Sequence, residues 1–287
     1  TRAAGLVASA VVGLAAGLVA AVAEDLAASV VVAASAEVAV AQTGKAATTM
    51  HLDELVAQLT TAHGEALVGV VLYGSAASDE LVVGHSDQNV LVIVESLSAA
   101  TLRTLGQTAR AWQEAGNPPP LEFTRREWLG SADVFPMEYA DILERHRVLA
   151  GTLPLDGVEV RRSHLRLQVE QEALGKLLRL RRATMTAGSD VARQREVLRA
   201  SLSAMLVIFR SVLRLHGERP ARDAAEVIAH VGSTCGFDVQ PFVVVHRLVH
   251  GGSIADREVP DVLAGYLGGA EALVTYLDRF ELPAGAT

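Results

Sequence analysis

The sequence predicts an α+β fold in which a mixed sheet flanked by helices is followed by an all-α helical bundle. Short apolar runs rich in β-branched residues alternate with amphipathic helical patterns in the first half of the chain. Only helical patterns occur in the second half. A length of 287 residues suits two domains of ordinary size.

The elements of the first half follow from periodicity and from turn residues. Leucines recur at helical spacing over residues 50–67, which predicts an amphipathic helix. Apolar runs at 68–75 and 89–95 predict buried strands, and the second run suits the centre of a sheet because it is apolar on both faces. A helix is predicted over 98–116, and the prolines that follow it precede a third strand at 121–125.

The second half contains the pattern of a helical bundle of four or five members. The longest central segment is apolar nearly all round, which is typical of a helix buried among others. We therefore place an α/β domain at residues 50–157 and a helical domain at residues 158–287. The predicted helices of the helical domain cover residues 163–187, 190–216, 221–234, 239–250 and 257–280.

The N-terminal stretch is rich in alanine and valine and allows three interpretations. Residues 3–23 carry no charge and are long enough to cross a bilayer, and a second apolar run covers residues 26–42. The stretch could form a soluble helical arm, associate with a membrane through residues 3–42, or act as a signal peptide. Residues 42–49 resemble a linker, so residues 1–49 are assigned to an arm or membrane-associated segment outside the functional domains.

Composition limits the classes of partner. The formal charge of −8 and an aromatic content of 4% disfavour a nucleic-acid binder that depends on overall positive charge or on base stacking. The single cysteine, Cys235, cannot form an internal disulfide or a thiolate metal cluster. The sequence therefore favours a cytoplasmic protein, with membrane association through the N-terminal segment as the alternative.

A group of polar residues that could bind a nucleotide lies in the segment 72–95, which has the sequence LYGSAASDELVVGHSDQNVLVIVE. Gly74 and Ser75 follow a strand and offer backbone N–H groups and a hydroxyl to a phosphate. Asp87 and Asn89 are two residues apart at the start of the next strand, so their side chains project from the same face. Ser86 is a turn residue beside them, and the group could hold Mg²⁺ against a nucleoside triphosphate.

This segment resembles the signature of the DNA polymerase beta-type nucleotidyltransferase superfamily, in which Gly-Ser is followed by a spacer and by D-h-[D/E] at the start of a strand. The resemblance extends over about residues 50–280, through FTRREWLGSADVFPMEYADILERHRVLAG and LRLQVEQEALGKLLRLRR, to a bacterial group that combines this domain with a helical C-terminal domain. Kanamycin-type nucleotidyltransferases share the same two-domain plan.

The resemblance implies roles for the residues of the segment. Gly74, Ser75 and Ser86 would contact the nucleotide phosphates, and Asp87 would ligate the metal. Asn89 departs from the pattern, because its amide oxygen can coordinate Mg²⁺ but brings no negative charge. The resemblance also implies a third carboxylate on a neighbouring strand, for which Glu122 is the preferred candidate. The other carboxylates in reach along the chain are Asp133, Glu138 and Asp141.

Basic residues in the helical domain offer a second contact to phosphate. Lys176, Arg179 and Arg182 recur at helical spacing and would share one face of a helix. If that face lines a cleft between the domains, Lys176 and Arg179 could neutralise a triphosphate. The alternative is a solvated face paired with nearby glutamates such as Glu170 and Glu172.

Two functions of different class follow from the sequence. The first is a Mg²⁺-dependent enzyme that transfers a nucleoside monophosphate from an NTP to a hydroxyl of a small-molecule or protein acceptor. The second is a catalytically degenerate module that binds nucleotide or a protein, either antitoxin-like or as a membrane-tethered accessory subunit. A homo-oligomer is compatible with both functions.

Overall fold

The computed structural model describes residues 50–77 and 88–282, and these residues belong to one compact unit. Its sheet has the strand order β3-β2-β1-β4. Strand β1 runs antiparallel to both β2 and β4, and β3 runs parallel to β2, so the sheet is mixed as predicted. The strands are β1 (Leu67–Tyr73), β2 (Asn89–Val94), β3 (Leu121–Thr124) and β4 (His146–Gly151).

Helices flank the sheet and then form the rest of the described chain, which confirms the predicted α+β class. In the sheet region they are α1 (Leu52–His63), α2 (Ala99–Thr104), α3 (Gly106–Glu114), α4 (Arg125–Gly130) and α5 (Pro136–Glu144). In the bundle they are α6 (Arg162–Ala187), α7 (Val191–Leu215), α8 (Ala224–Cys235), α9 (Gln240–Val249) and α10 (Val259–Arg279).

The two central strands are buried on both faces. Alternate residues of β1 and β2 pack into two separate apolar clusters. The first cluster contains Val92 together with Leu55 and Leu59 of α1 and Trp112 of α3. The second cluster lies on the opposite face of the sheet and includes Trp128, Tyr139 and Ile142. Helices on both faces explain why these strands appear in the sequence as continuous apolar runs.

The fourth strand was not predicted. Strand β4 lies at the edge of the sheet, where Arg147 and Val148 are exposed, so its sequence lacks the apolar run that marks β1 and β2. Helix α5, which Pro136 begins just before this strand, was also not predicted. The helix predicted over 98–116 is divided into α2 and α3 at Leu105.

The bundle is built around α7. Helices α6, α8, α9 and α10 contribute to one continuous apolar cluster with it. An edge-on aromatic contact joins Phe209 of α7 to Phe242 of α9, and a tilted contact joins Phe242 to Tyr266 of α10. The division of the chain at residues 157 and 158 stays a prediction.

Membrane association was one of three interpretations of the N-terminal segment. Within residues 50–77 and 88–282, no helix is long and apolar enough to span a bilayer. Residues 1–49, which carry that prediction, lie outside the described residues.

Candidate active site

Strands β1 and β2 bring Gly74 and Asn89 together at one edge of the sheet. Tyr73, the last residue of β1, is directly opposite Asn89, the first residue of β2. Gly74 has a φ of +78°, and a Cβ atom at this position would lie 3.6 Å from Asn89 Nδ2. The backbone N–H of Gly74 donates to the carbonyl oxygen of Arg145 at 3.2 Å. Glycine therefore allows the chain to turn sharply beside Asn89.

The start of β2 is fixed by a side chain from a distant loop. The backbone N–H of Gln88 donates to Asn117 Oδ1 at 3.0 Å. Asn117 had been interpreted only as part of the polar and proline-rich end of a helix, so sequence reasoning missed this contact. Ser86 and Asp87 directly precede Gln88 but lie outside the described residues, and the side chain of Ser75 is likewise not described.

An arginine-rich pocket shares Arg145 with the Gly74 turn. It has a volume of about 200 Å³ and continues from Arg145, whose carbonyl oxygen accepts the hydrogen bond from Gly74. The segment between α5 and β4 forms one side, and the end of α7 with the loop after it forms the other. We call it the arginine pocket, and its lining residues are Glu144, Arg145, Arg210, Arg214, Arg219, Pro220, Ala221 and Arg222.

Two carboxylates form ion pairs with arginines of the pocket and fix the positions of their side chains. Arg214 is 8% exposed, and its guanidinium donates to Glu144 at 2.7 and 3.0 Å and to Asp141 at 3.1 Å. Arg145 forms an ion pair with the same Asp141. Burial opposes ionisation of Asp141, but the charges of Arg145 and Arg214 outweigh it and lower the pKa of this carboxyl. The arginine side chains are therefore positioned by a preformed network.

The arginine pocket has the chemistry of an anion site. Its lining contains five arginines and one glutamate, and guanidinium groups bind phosphate oxygens through paired N–H donors. The pocket was missed in the sequence, although two signals point to it. Arg210 and Arg214 are one helical turn apart in the largely apolar C-terminal half of α7, and Arg219 and Arg222 follow within eight residues of Arg214.

Glu138 of α5 lies on the same face of the sheet as Asn89. Residues directly opposite in neighbouring strands project from the same face, so Tyr73 shares the face of Asn89. Burial raises the pKa of Tyr73, and the charges of Glu138 and Asp141 raise it further. Burial also raises the pKa of Glu138, although its hydrogen bond with Gln168 Nε2, 2.9 Å long, opposes the shift.

Glu122, the preferred third carboxylate, projects from the other face. It is directly opposite Val92, which is three residues from Asn89, so alternation places Glu122 and Asn89 on opposite faces of the sheet. The Glu122 side chain is 12% exposed and lies 3.3 Å from His63 Nε2 of α1. Burial raises the pKa of Glu122, and His63 partly offsets this shift. The structure thus does not bring Glu122 together with Asn89.

The two basic residues predicted to contact phosphate lie on α6. Neither Lys176 nor Arg179 is among the residues that line the arginine pocket. Arg179 is 3.8 Å from Glu172, as the alternative of a solvated, paired face had suggested. Burial, and then the charge of Arg179, lower the pKa of Lys176.

The described residues do not form a complete metal site. Within residues 50–77 and 88–282, no group of three or more His, Cys, Asp or Glu side chains is arranged to hold a metal ion. Asn89 offers a neutral amide oxygen beside Gly74, and the charged partner predicted for it, Asp87, lies outside the described residues. A metal held here would therefore depend on Asp87 for negative charge.

Comparison with known proteins adds one finding about the fold. No protein-family model and no curated protein sequence matches the chain. Among solved structures, spectinomycin adenyltransferase from Enterococcus faecialis, crystallised with ATP and spectinomycin, is similar with a TM-score of 0.50. The similarity covers 80% of this chain and 100% of that protein at 12% sequence identity. The fold of this chain is similar to that of this adenyltransferase. At this identity the similarity concerns the fold alone.

Proposed function

We propose that the protein binds a nucleoside triphosphate at the Gly74 turn and transfers the nucleoside monophosphate to a hydroxyl of a small molecule. The observation that carries the proposal is the arginine pocket, because one of its lining residues, Arg145, also accepts a hydrogen bond from Gly74 at the edge of the sheet where Gly74 and Asn89 meet. Five arginines beside a glycine turn suit a polyphosphate group.

The reaction requires charge stabilisation and proton removal. The acceptor hydroxyl oxygen attacks the α-phosphorus of the triphosphate, the bond to the bridging oxygen breaks, and pyrophosphate leaves. Arg214, Arg219 and Arg222 would stabilise the negative charge on the departing pyrophosphate. Glu138 would accept the hydroxyl proton, because its raised pKa makes it a stronger base than an ordinary glutamate.

We include Mg²⁺ in the proposed reaction because two residues could ligate it. Asp87 and the amide oxygen of Asn89 would hold the ion, with Asp87 supplying the negative charge. Bound Mg²⁺ neutralises phosphate charge in reactions of this class. Because Asn89 is neutral, we expect weaker metal binding here than at a site with two carboxylates.

The kind of acceptor is inferred from the structural neighbour. That protein was crystallised with ATP and with spectinomycin, a small molecule. We therefore infer ATP as the first nucleotide to test and a small hydroxylated molecule as the acceptor, in preference to a protein acceptor.

A second function is favoured by two specific observations. Asn89 stands where a second carboxylate would complete a metal site, and Glu122 is paired with His63 on the opposite face of the sheet. Both observations favour a catalytically silent protein that still binds nucleotide in the arginine pocket.

Calorimetry with MgATP tests nucleotide binding. Replacing Arg222 by alanine should weaken binding about tenfold, because it removes a charge-assisted contact to phosphate. Arg199→Ala is the matched control, since Arg199 is an exposed arginine of α7 that does not line the pocket, and its affinity should equal that of the unmodified protein. Absence of binding at millimolar MgATP would refute both functions.

Transfer of label separates the two functions. ATP labelled at the α-phosphate is incubated with the protein and a library of small hydroxylated compounds, and labelled products are separated by chromatography. Product formation by the unmodified protein supports the enzyme. If only Asn89→Asp produces labelled product, the unmodified protein is the silent nucleotide binder.

A further inference from the structure

Helix α6 carries an exposed apolar stripe on the face opposite its buried residues. Its members are Leu167, Leu174, Leu178 and Met185, which are 62%, 45%, 44% and 81% exposed. At 100° per residue, all four lie within about 40° of one another on the helix surface. They extend over roughly 27 Å of helix. Scattered single leucines on a surface are ordinary, but an aligned row along one helix marks an interaction face.

The stripe is symmetric about its centre. Leu174 and Leu178 each lie two residues from Lys176, and Leu167 and Met185 each lie nine residues from it. An antiparallel second copy of α6 would therefore place Leu174 against Leu178, and Leu167 against Met185, in both halves of the contact. This self-complementarity is the property that a two-fold symmetric interface requires.

The charged residues beside the stripe also favour an antiparallel pair. Glu170 and Arg181 lie on one flank of the stripe, six residues before Lys176 and five residues after it. In an antiparallel pair with two-fold symmetry, residues of the same flank face each other, so Glu170 of one copy lies opposite Arg181 of the other. Within one copy, Glu170 pairs with Arg166 at 3.0 Å and Arg181 pairs with Glu271 at 2.8 Å. The contact would join the half-buried Arg166–Glu170 pair and the more exposed Arg181–Glu271 pair into one alternating network.

We propose that the protein forms a homodimer through antiparallel packing of the α6 stripe against the same stripe of a second copy. In a parallel pair with two-fold symmetry, residues of one flank face the opposite flank of the other copy, so Glu170 and Arg181 would not face each other and their pairing would be lost. The antiparallel arrangement buries all eight apolar side chains and pairs unlike charges. The dimer does not depend on the proposed enzymatic activity.

Sedimentation equilibrium of the full chain tests the dimer. The expected mass is twice the 30.2 kDa of one chain, and Leu174→Glu should return the protein to 30.2 kDa. The matched control is Leu155→Glu, because Leu155 is also 45% exposed but lies outside α6, and this variant should remain dimeric. A single-chain mass for the unmodified protein at about 100 μM, a concentration at which even a micromolar dimer is populated, would overturn the proposal.

Charge exchange tests the flank contact. Glu170→Arg and Arg181→Glu should each weaken the dimer, and the double variant should recover most of the dimer affinity because each substituted charge again faces its opposite. A double variant that is as weak as the two single variants would contradict the pairing of Glu170 with Arg181.

Oxidative cross-linking tests the orientation. A mixture of the Leu167→Cys and Met185→Cys proteins should form cross-linked heterodimers, because the two positions meet only in the antiparallel pair. Each variant alone should stay uncross-linked, which also controls for the half-buried native Cys235. Efficient cross-linking of either variant with itself would show a parallel contact and overturn the proposal.

Discussion

Arg214 shows how a single buried charge positions the candidate site. It lies near the C-terminal end of α7, and two carboxylates from α5, Asp141 and Glu144, accept its hydrogen bonds. Although burial lowers the pKa of a guanidinium, these hydrogen bonds and charges outweigh it and raise the pKa of Arg214. The residue therefore stays charged where it lines the pocket, and it joins the bundle to the helix that precedes β4.

Replacing Arg214 by methionine should lower the free energy of unfolding by about 3 kcal/mol, because the half-buried carboxylates of Asp141 and Glu144 would both lose a guanidinium partner. Arg219→Met provides the control, since Arg219 lines the same pocket but is exposed, and its stability should change by less than about 0.5 kcal/mol. Both variants should bind MgATP more weakly in calorimetry. Urea denaturation separates the two effects, and equal stability loss in both variants would contradict the buried network.

Glu138 gives the proposed reaction a specific pH dependence. A base must be deprotonated to accept a proton, so the rate should rise as pH increases through the pKa of Glu138, which burial holds above the ordinary glutamate range. Glu138→Gln should abolish this acidic limb together with most of the activity. Glu122→Gln is the matched control, because its carboxyl also has a raised pKa but lies on the other face of the sheet. Loss of the limb in Glu122→Gln would instead assign the base to Glu122.

The same shift predicts the pH dependence of stability. The folded pKa of Glu138 is raised, so its protonated form stabilises the fold below the unfolded pKa, and this contribution is lost as pH rises through the folded pKa. The free energy of unfolding of the unmodified protein, relative to that of Glu138→Gln, should therefore fall as pH rises over this range. Urea denaturation at a series of pH values measures the difference.

At the scale of elements, the sequence predicted the helices and strands whose pattern depends on residues close together in the chain. The apolar runs of β1 and β2 were predicted because burial on both faces leaves a continuous pattern. Strand β4 was missed because an edge strand with exposed Arg147 and Val148 has no such pattern. The arginine pocket was missed because Arg145 and Arg214 are far apart in sequence and meet only through tertiary packing.

The opposite placement of Glu122 and Asn89 has a similar origin. Which face a residue occupies depends on the register between strands, and a shift of one residue reverses the face. The sequence located β2 and β3 within a residue of their observed limits, but it carried no information on the pairing of Val92 with Glu122. The positions of β2 and β3 were therefore predictable from the sequence, whereas the face of the sheet on which Glu122 lies was not.

The contact between β1 and β4 depends on a glycine. Gly151 has a φ of +65°, and a Cβ atom there would lie 2.1 Å from the carbonyl oxygen of Val68. Gly157 has a φ of +79° but open space around it. Gly157→Ala should cost about 1–2 kcal/mol from backbone strain, and Gly151→Ala should cost about 2 kcal/mol more because strand β4 must also move. Thermal and urea unfolding measure both, and equal costs would contradict the close approach of the two strands.

At the scale of the whole molecule, the arginine pocket is shared between the sheet region and the bundle. Glu144 ends α5 and Arg145 connects it to β4, whereas Arg210 and Arg214 belong to α7 and Arg222 precedes α8. A ligand that contacts both sides binds only when both are folded. Nucleotide binding should therefore stabilise the two regions together rather than the sheet alone.

MgATP at one hundred times its dissociation constant should raise the free energy of unfolding by about 2.7 kcal/mol. Because the ligand contacts both sides of the pocket, amide hydrogen exchange should slow in β1 and β4 and also in α7 and α8. Arg222→Ala at the same MgATP concentration controls for general effects of the ligand, and its stabilisation should be smaller by about the loss in binding free energy. If exchange slows only in β1 and β4, the nucleotide binds at the Gly74 turn without contacting the bundle. The arginine pocket would then have no part in nucleotide binding.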